Sequence, residues 1–128
     1  MESFSLEPTQ KTPKLFFDPS NGAFEISGRS IPENSIEFYR PLLNWLDEYI
    51  KSPNKKTELK IMLEYFNTSS SKCLVEIFRR LQKIHQDGEQ LHIEWHYEEE
   101  DDDILESGQD FKEIMKLPIE MVRIDTDY

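Results

Sequence analysis

The spacing of apolar and polar residues changes along the chain, and each change predicts a new element. Leu15-Phe16-Phe17 and Ala23-Phe24-Glu25-Ile26-Ser27-Gly28 are short runs rich in aromatic and β-branched side chains. Between them, Asp18-Pro19-Ser20-Asn21-Gly22 carries turn chemistry ending in Asn-Gly, so the pair reads as a hairpin. The period then lengthens. Tyr39, Leu42, Leu43, Leu46, Tyr49 and Ile50 recur three and four apart, behind the capping side chains of Glu33-Asn34-Ser35. Pro41 interrupts this helical pattern because it cannot donate to the Glu37 carbonyl. Either the helix kinks there or its main body begins at Pro41.

Leu59 to Phe66 returns to a period of two, with Leu59, Ile61, Leu63 and Tyr65 on one face. Lys60, Met62, Glu64 and Phe66 form a mixed second face, which predicts a central strand at least partly covered on both sides. Thr68 to Gln86 reads as a helix with the stripe Leu74, Ile77, Phe78, Leu81 and Ile84, closed by Asp87-Gly88. Leu91 to Tyr97 alternates strictly and predicts a half-buried strand. A third helix follows over Ile104 to Lys116, with Ile104, Leu105, Phe111, Ile114 and Met115 as its apolar positions. Leu117-Pro118 stops it, and Ile119 to Ile124 is the last strand.

Strands alternating with helices predict an α/β fold with right-handed crossovers. The expected architecture is one domain with a mixed, mainly parallel sheet of about five strands, an N-terminal antiparallel hairpin and three helices. Residues 1–13, polar and containing Pro8 and Pro13, read as a flexible leader before a domain over residues 14–128. In such sheets, loops at the carboxyl ends of the strands meet ligands and partners. Asn67-Thr68-Ser69-Ser70 sits at one of those ends.

Composition narrows the function. A chain of 128 residues suits one domain burying roughly two-thirds of its unfolded surface. The formal charge of −11, from 26 acids against 15 bases, argues against nucleic acid and anionic membranes as partners. The single Cys73 excludes an internal disulfide, and its place in the second helix reads as a small buried filler. The polar start lacks a signal-peptide core, and no run approaches the roughly 18 apolar residues of a span, so a cytoplasmic setting is expected.

Catalytic signals are sparse. Four glycines supply no phosphate-binding loop, and there is no Gly-x-Ser-x-Gly turn. On a strand, His92 and His96 share a face but stand about 13 Å apart, too far to chelate one ion together. The run Glu98 to Asp103 lacks the spacing and central glycine of an EF-hand and reads as a solvated loop. A hydrolase or metal enzyme built from that run with His92 or His96 is therefore disfavoured, and neither cofactor nor metal is expected. The polar turn is different. A helix start with Lys72 four residues after Thr68, and with Arg79, Arg80 and Lys83 beyond, would suit a phosphoryl group. Capping alone would account for one of its hydroxyls, and spacing does not choose among Thr68, Ser69 and Ser70.

Three segments together carry a resemblance. Tyr65-Phe66-Asn67-Thr68-Ser69-Ser70, Ile31-Pro32-Glu33-Asn34-Ser35 with Trp45 downstream, and Ile93-Glu94-Trp95-His96-Tyr97 resemble the SiaC-type regulatory phosphoproteins of bacteria. The likeness runs from about Thr12 to the C-terminus; Pro41 and the acidic run are its departures. It implies a fold similar to STAS-like, anti-anti-sigma domains and a non-enzymatic role in partner switching. A cognate protein kinase would phosphorylate Thr68, and a PP2C-type phosphatase would reverse the modification. In the best-known members the unphosphorylated form binds and activates a diguanylate cyclase, raising cyclic di-GMP and promoting biofilm. The implied partner-binding residues here are Asn67, Thr68, Ser69, Ser70 and Lys72. The alternative output is an anti-sigma factor in a transcription pathway.

Overall fold

The computed structural model describes residues 1–124, so the last four residues of the expected 14–128 domain lie outside it. Its elements, in order, are β1 (Phe4–Leu6), β2 (Lys14–Asp18), β3 (Ala23–Ser30), α1 (Ser35–Tyr49), β4 (Lys56–Phe66), α2 (Thr68–Gln86), β5 (Gln90–Glu98), α3 (Asp102–Met115) and β6 (Ile119–Ile124). The sheet runs β1-β2-β3-β4-β5-β6 in chain order. β1, β2 and β3 pair antiparallel, and β3 to β6 pair parallel. Each crossover joins neighbouring strands in the same direction, so all three helices pack on one face.

That layering corrects one expectation. Thr57, Leu59, Ile61 and Leu63 of β4 are buried under the helices, whereas Lys56, Glu58, Lys60 and Glu64 face outward on an open side. The central strand is covered on one face only. Polar contacts occupy the open side: Lys14 pairs with Glu25 at 3.2 Å and Lys56 with Glu58 at 2.9 Å, and His96 Nε2 is hydrogen-bonded to Glu94 Oε1 at 2.9 Å. The hydrogen bond from His96 holds the Glu94 carboxyl below the usual carboxylate range, against the opposing effect of burial.

A bulge corrects a second. Gly28 pairs with Leu63 but Arg29 pairs with Tyr65, leaving Glu64 as an extra residue in β4. The faces exchange beyond it. Tyr65 turns outward, 53% exposed, and Phe66 turns in against Trp95 and Phe111.

The helices follow their local signals. Asn34 caps α1 by accepting from Glu37 N at 3.1 Å. α1 continues unbroken through Pro41, which is exposed, so the Glu37 carbonyl that loses its partner is on the watered side. α2 ends at Asp87, with Gly88 at φ +85° as the left-handed residue. α3 starts two residues earlier than expected. Asp101 accepts from Ile104 N at 3.0 Å, and Asp102 and Asp103 lie at the positive end of the helix dipole. Half of the acidic run is thus helix start rather than loop.

The segment 1–13, expected as a loose leader, contains β1 and is tied to the body. Phe4 and Leu6 pair with Phe17 and Leu15, Trp45 Nε1 donates to the Glu2 carbonyl at 2.8 Å, and Ile31 N donates to the Lys11 carbonyl at 2.8 Å. A three-residue strand is too short to show a period, and its anchors are distant in sequence. β1 brings the sheet to six strands.

At the other end of the core, Trp95 is fully buried and donates from Nε1 to the Ile104 carbonyl at 2.8 Å. Its ring lies flat on α3 at Gly108, where an added Cβ would fall 2.6 Å from Cγ and Nε1. Helix propensity alone favours alanine there by about 1 kcal/mol. Overpacking costs about 1–3 kcal/mol and acts in the opposite direction. Gly108→Ala is therefore expected to lower the unfolding free energy in urea, and a gain in stability would contradict this packing.

Candidate functional site

Ser30 at the end of β3, Ser35 and Tyr39 on α1, and Ser69 and Ser70 on α2 meet at the carboxyl edge of the parallel strands. Their hydroxyls form one network. Ser30 Oγ lies 2.6 Å from Tyr39 Oη and 2.8 Å from Ser70 Oγ, and Ser70 Oγ donates to the Ser30 carbonyl at 3.0 Å. Ser35 Oγ lies 2.7 Å from Ser69 Oγ, and Ser69 Oγ donates to Asn67 Oδ1 at 3.1 Å. One assignment satisfies every member: Tyr39 donates to Ser30, Ser30 to Ser70, and Ser35 to Ser69. Burial pushes the Tyr39 hydroxyl up to about 12, with the Ser30 hydrogen bond working the other way, so it stays protonated in this role. Among the described residues no buried side-chain nitrogen or oxygen lacks a partner.

This network sorts the hydroxyls that spacing left equivalent. Ser70 is fully buried. Ser69 is exposed, but its proton and a lone pair are engaged by Asn67 and Ser35. Ser71 Oγ donates back to the Thr68 carbonyl at 2.7 Å. Thr68 is exposed, and among the described residues its hydroxyl makes no hydrogen bond. Asn67 is the N-cap of α2 and accepts from Ser70 N at 2.8 Å. Thr68 thus stands in the first turn, where helical N–H groups have no intrahelical partner and the dipole favours negative charge.

The charge around it is more modest than the sequence suggested. Arg79 is paired with Glu76 at 2.8 Å, and Arg80 with Asp47 at 2.9 Å and Glu76 at 3.2 Å. Lys72, exposed and four residues on, is the cation of α2 nearest Thr68 in the chain. Cys73 is buried, and burial first, then the nearby Glu76, raises its thiol above the ordinary value. It is a packed, protonated side chain rather than a nucleophile.

Residues not singled out from sequence complete the site. Thr68 and Ser71 form one wall of a groove, with Phe66 and Phe111 below and Ser107, Asp110 and Ile114 opposite. Ile114, one of the apolar positions read for the third helix, is 73% exposed. Ile36 is exposed beside Ser35, and Tyr65 is exposed two residues before Asn67. Ile36, Tyr65 and Ile114 are thus large apolar side chains left exposed on α1, β4 and α3, the elements that flank the polar turn and the groove. The available signal was Ile114 itself, which lies off the Ile104, Phe111 and Met115 line that α3 buries.

Removing the Ser70 hydroxyl leaves buried partners unsatisfied, which costs about 1–3 kcal/mol. Thr68→Ala removes an unengaged surface hydroxyl and should change stability by less than about 0.5 kcal/mol. Urea unfolding of Ser70→Ala and Thr68→Ala is expected to separate them in that order. Equal effects would contradict the network.

Comparison with known proteins places the whole chain. Residues 6–124 match the model of the SiaC family regulatory phosphoproteins. An uncharacterized protein of Pseudomonas aeruginosa (strain UCBPP-PA14) is 30% identical over 118 residues, covering 92% of this chain and 94% of its own. The crystal structure of apo-SiaC from Pseudomonas aeruginosa superposes with a TM-score of 0.86 at 30% identity, over 95% of this chain and 99% of that one. SiaC in the crystal complex with the diguanylate cyclase SiaD, which it activates, superposes with a TM-score of 0.88 at 29% identity, over 94% and 99% of the two chains. A buried hydroxyl network, an outward-facing threonine and an apolar groove are therefore set in a fold shared along nearly the whole chain, and the chain belongs to the SiaC family of regulatory phosphoproteins.

Proposed function

We propose that this chain is a non-enzymatic signalling protein that binds a diguanylate cyclase and is switched by reversible phosphorylation of Thr68. A cognate protein kinase adds the phosphate and a PP2C-type phosphatase removes it. The observation that carries this reading is the contrast within one turn. Thr68 offers an exposed, unengaged hydroxyl, whereas the neighbouring serine hydroxyls are buried or engaged in hydrogen bonds.

The chemistry of the surface supports a switch. The partner would dock on the groove between α2 and α3 and on Ile36 and Tyr65, with Asn67, Thr68, Ser69 and Lys72 at its edge; Ser70, buried, supports the turn from beneath. A phosphate adds about −1.5 to −2 charges. In the free protein the helix start and Lys72 accommodate that charge at little cost. Under a docked partner it must be desolvated, beside the Asp110 carboxylate across the groove, unless the partner supplies bases. The state that binds is accordingly the unphosphorylated one. The complex of the relative SiaC with the cyclase SiaD supports a cyclase, rather than an anti-sigma factor, as the output.

Incubation with the cognate kinase and ATP should add one phosphate to the intact mass, absent in Thr68→Ala and retained in Ser69→Ala. Phosphate persisting in Thr68→Ala would reject the site. Ile114→Asp places a charge on the groove and is expected to weaken cyclase binding by at least about tenfold, roughly 1.4 kcal/mol. Unchanged affinity would remove the groove from the interface.

A further inference from the structure

The open face of the sheet, on the side away from the helices, brings together a group that sequence spacing did not reveal. His92, Glu94 and His96 alternate along β5 and therefore share that face. Glu120 of β6 pairs in register with Glu94. Two carboxylates directly opposite each other on adjacent strands repel, and a cation held between them relieves that repulsion. His92 Nε2 stands between them, 3.4 Å from Glu94 Oε2 and 3.2 Å from Glu120 Oε1. One donor atom from each of His92, Glu94 and Glu120 lies within 4.8 Å of the others.

We infer that His92, Glu94 and Glu120 form a binding site for a borderline divalent transition metal of the Zn²⁺ class. Two ligands at the usual Zn–N and Zn–O lengths, set at a tetrahedral angle, stand about 3.4 Å apart. The two separations from His92 match that edge. An imidazole with two carboxylates is a donor set for zinc, cobalt or nickel, since Mg²⁺ and Ca²⁺ prefer oxygen alone. The fourth position is open to water because Glu120 lies at the exposed edge of the group.

A supporting shell is present. His96 Nε2 bonds the other oxygen of the same carboxylate, Glu94 Oε1, at 2.9 Å, which fixes the orientation of Oε2 toward His92. His96 is thus a positioning residue. This agrees with the strand spacing, which keeps the two imidazoles from sharing an ion. Lys60, in register with Glu94 on β4, offsets one negative charge and leaves the site with a net negative balance when the imidazoles are neutral. The site lies on the open face of the sheet, away from the helix α2 that carries Thr68.

Zn²⁺ titration of the full chain against a chromogenic chelator should show one site per chain, and Co²⁺ should give visible absorption bands of a low-coordinate centre. His92→Ala and Glu120→Gln are each expected to weaken binding by at least about tenfold. His85→Ala, which alters an exposed histidine on α2, should leave it unchanged. Circular dichroism establishes that each variant is folded. Millimolar Mg²⁺ should not compete. Absence of a stoichiometric Zn²⁺ site, equal affinity in His92→Ala, or displacement by Mg²⁺ would each overturn the assignment.

Discussion

Ser70 Oγ, fully buried between β3, α1 and α2, is the contact on which the polar turn depends. It donates to the Ser30 carbonyl and accepts from Ser30, and through Ser30 it reaches Tyr39. A hydroxyl stripped of water in that position would be costly if any partner were missing. Because every partner is present, the first turn of α2 has a single rotational setting about its axis. Ser70 faces in, Ser69 leans on Ser35, and Thr68 one residue earlier must face out. The feature that makes Thr68 available is therefore a structural requirement of its neighbours.

The rest of the architecture sustains that setting. The bulge at Glu64 turns Phe66 inward so that it can pack on Trp95 and Phe111 beneath the groove, and turns Tyr65 outward beside the turn. Gly108 lets α3 approach Trp95 closely enough to form the opposite wall. Stacking all three helices on one face leaves the other side of the sheet to charged side chains. There, strand pairing rather than helix packing decides which groups meet, and it brings Glu94 and Glu120 together with His92 between them.

What was legible in the sequence was what local chemistry determines. The limits of α2 follow from Asn67 at one end and Asp87-Gly88 at the other, and the parallel order follows from alternating elements. The missing parts were non-local. β1 is held by Trp45 and β2, and the exchange of Tyr65 and Phe66 depends on how β4 pairs with β3. The resemblance to the SiaC family named Thr68, whereas spacing could not. Its physical justification lies in Ser30 and Ser35, 40 and 35 positions before Ser70. Ile114 reads as one of the apolar positions of α3, near the helical period; only the packed helix shows it outward.

A switch at Thr68 requires that one phosphate on that hydroxyl, and nothing else, changes partner affinity. The direct measurement is calorimetric binding of the cyclase to two otherwise identical proteins, one carrying phosphothreonine incorporated at position 68 and one carrying threonine. Weaker binding of the phosphorylated protein by at least about tenfold is expected, roughly 1.4 kcal/mol. Equal affinities would contradict the account.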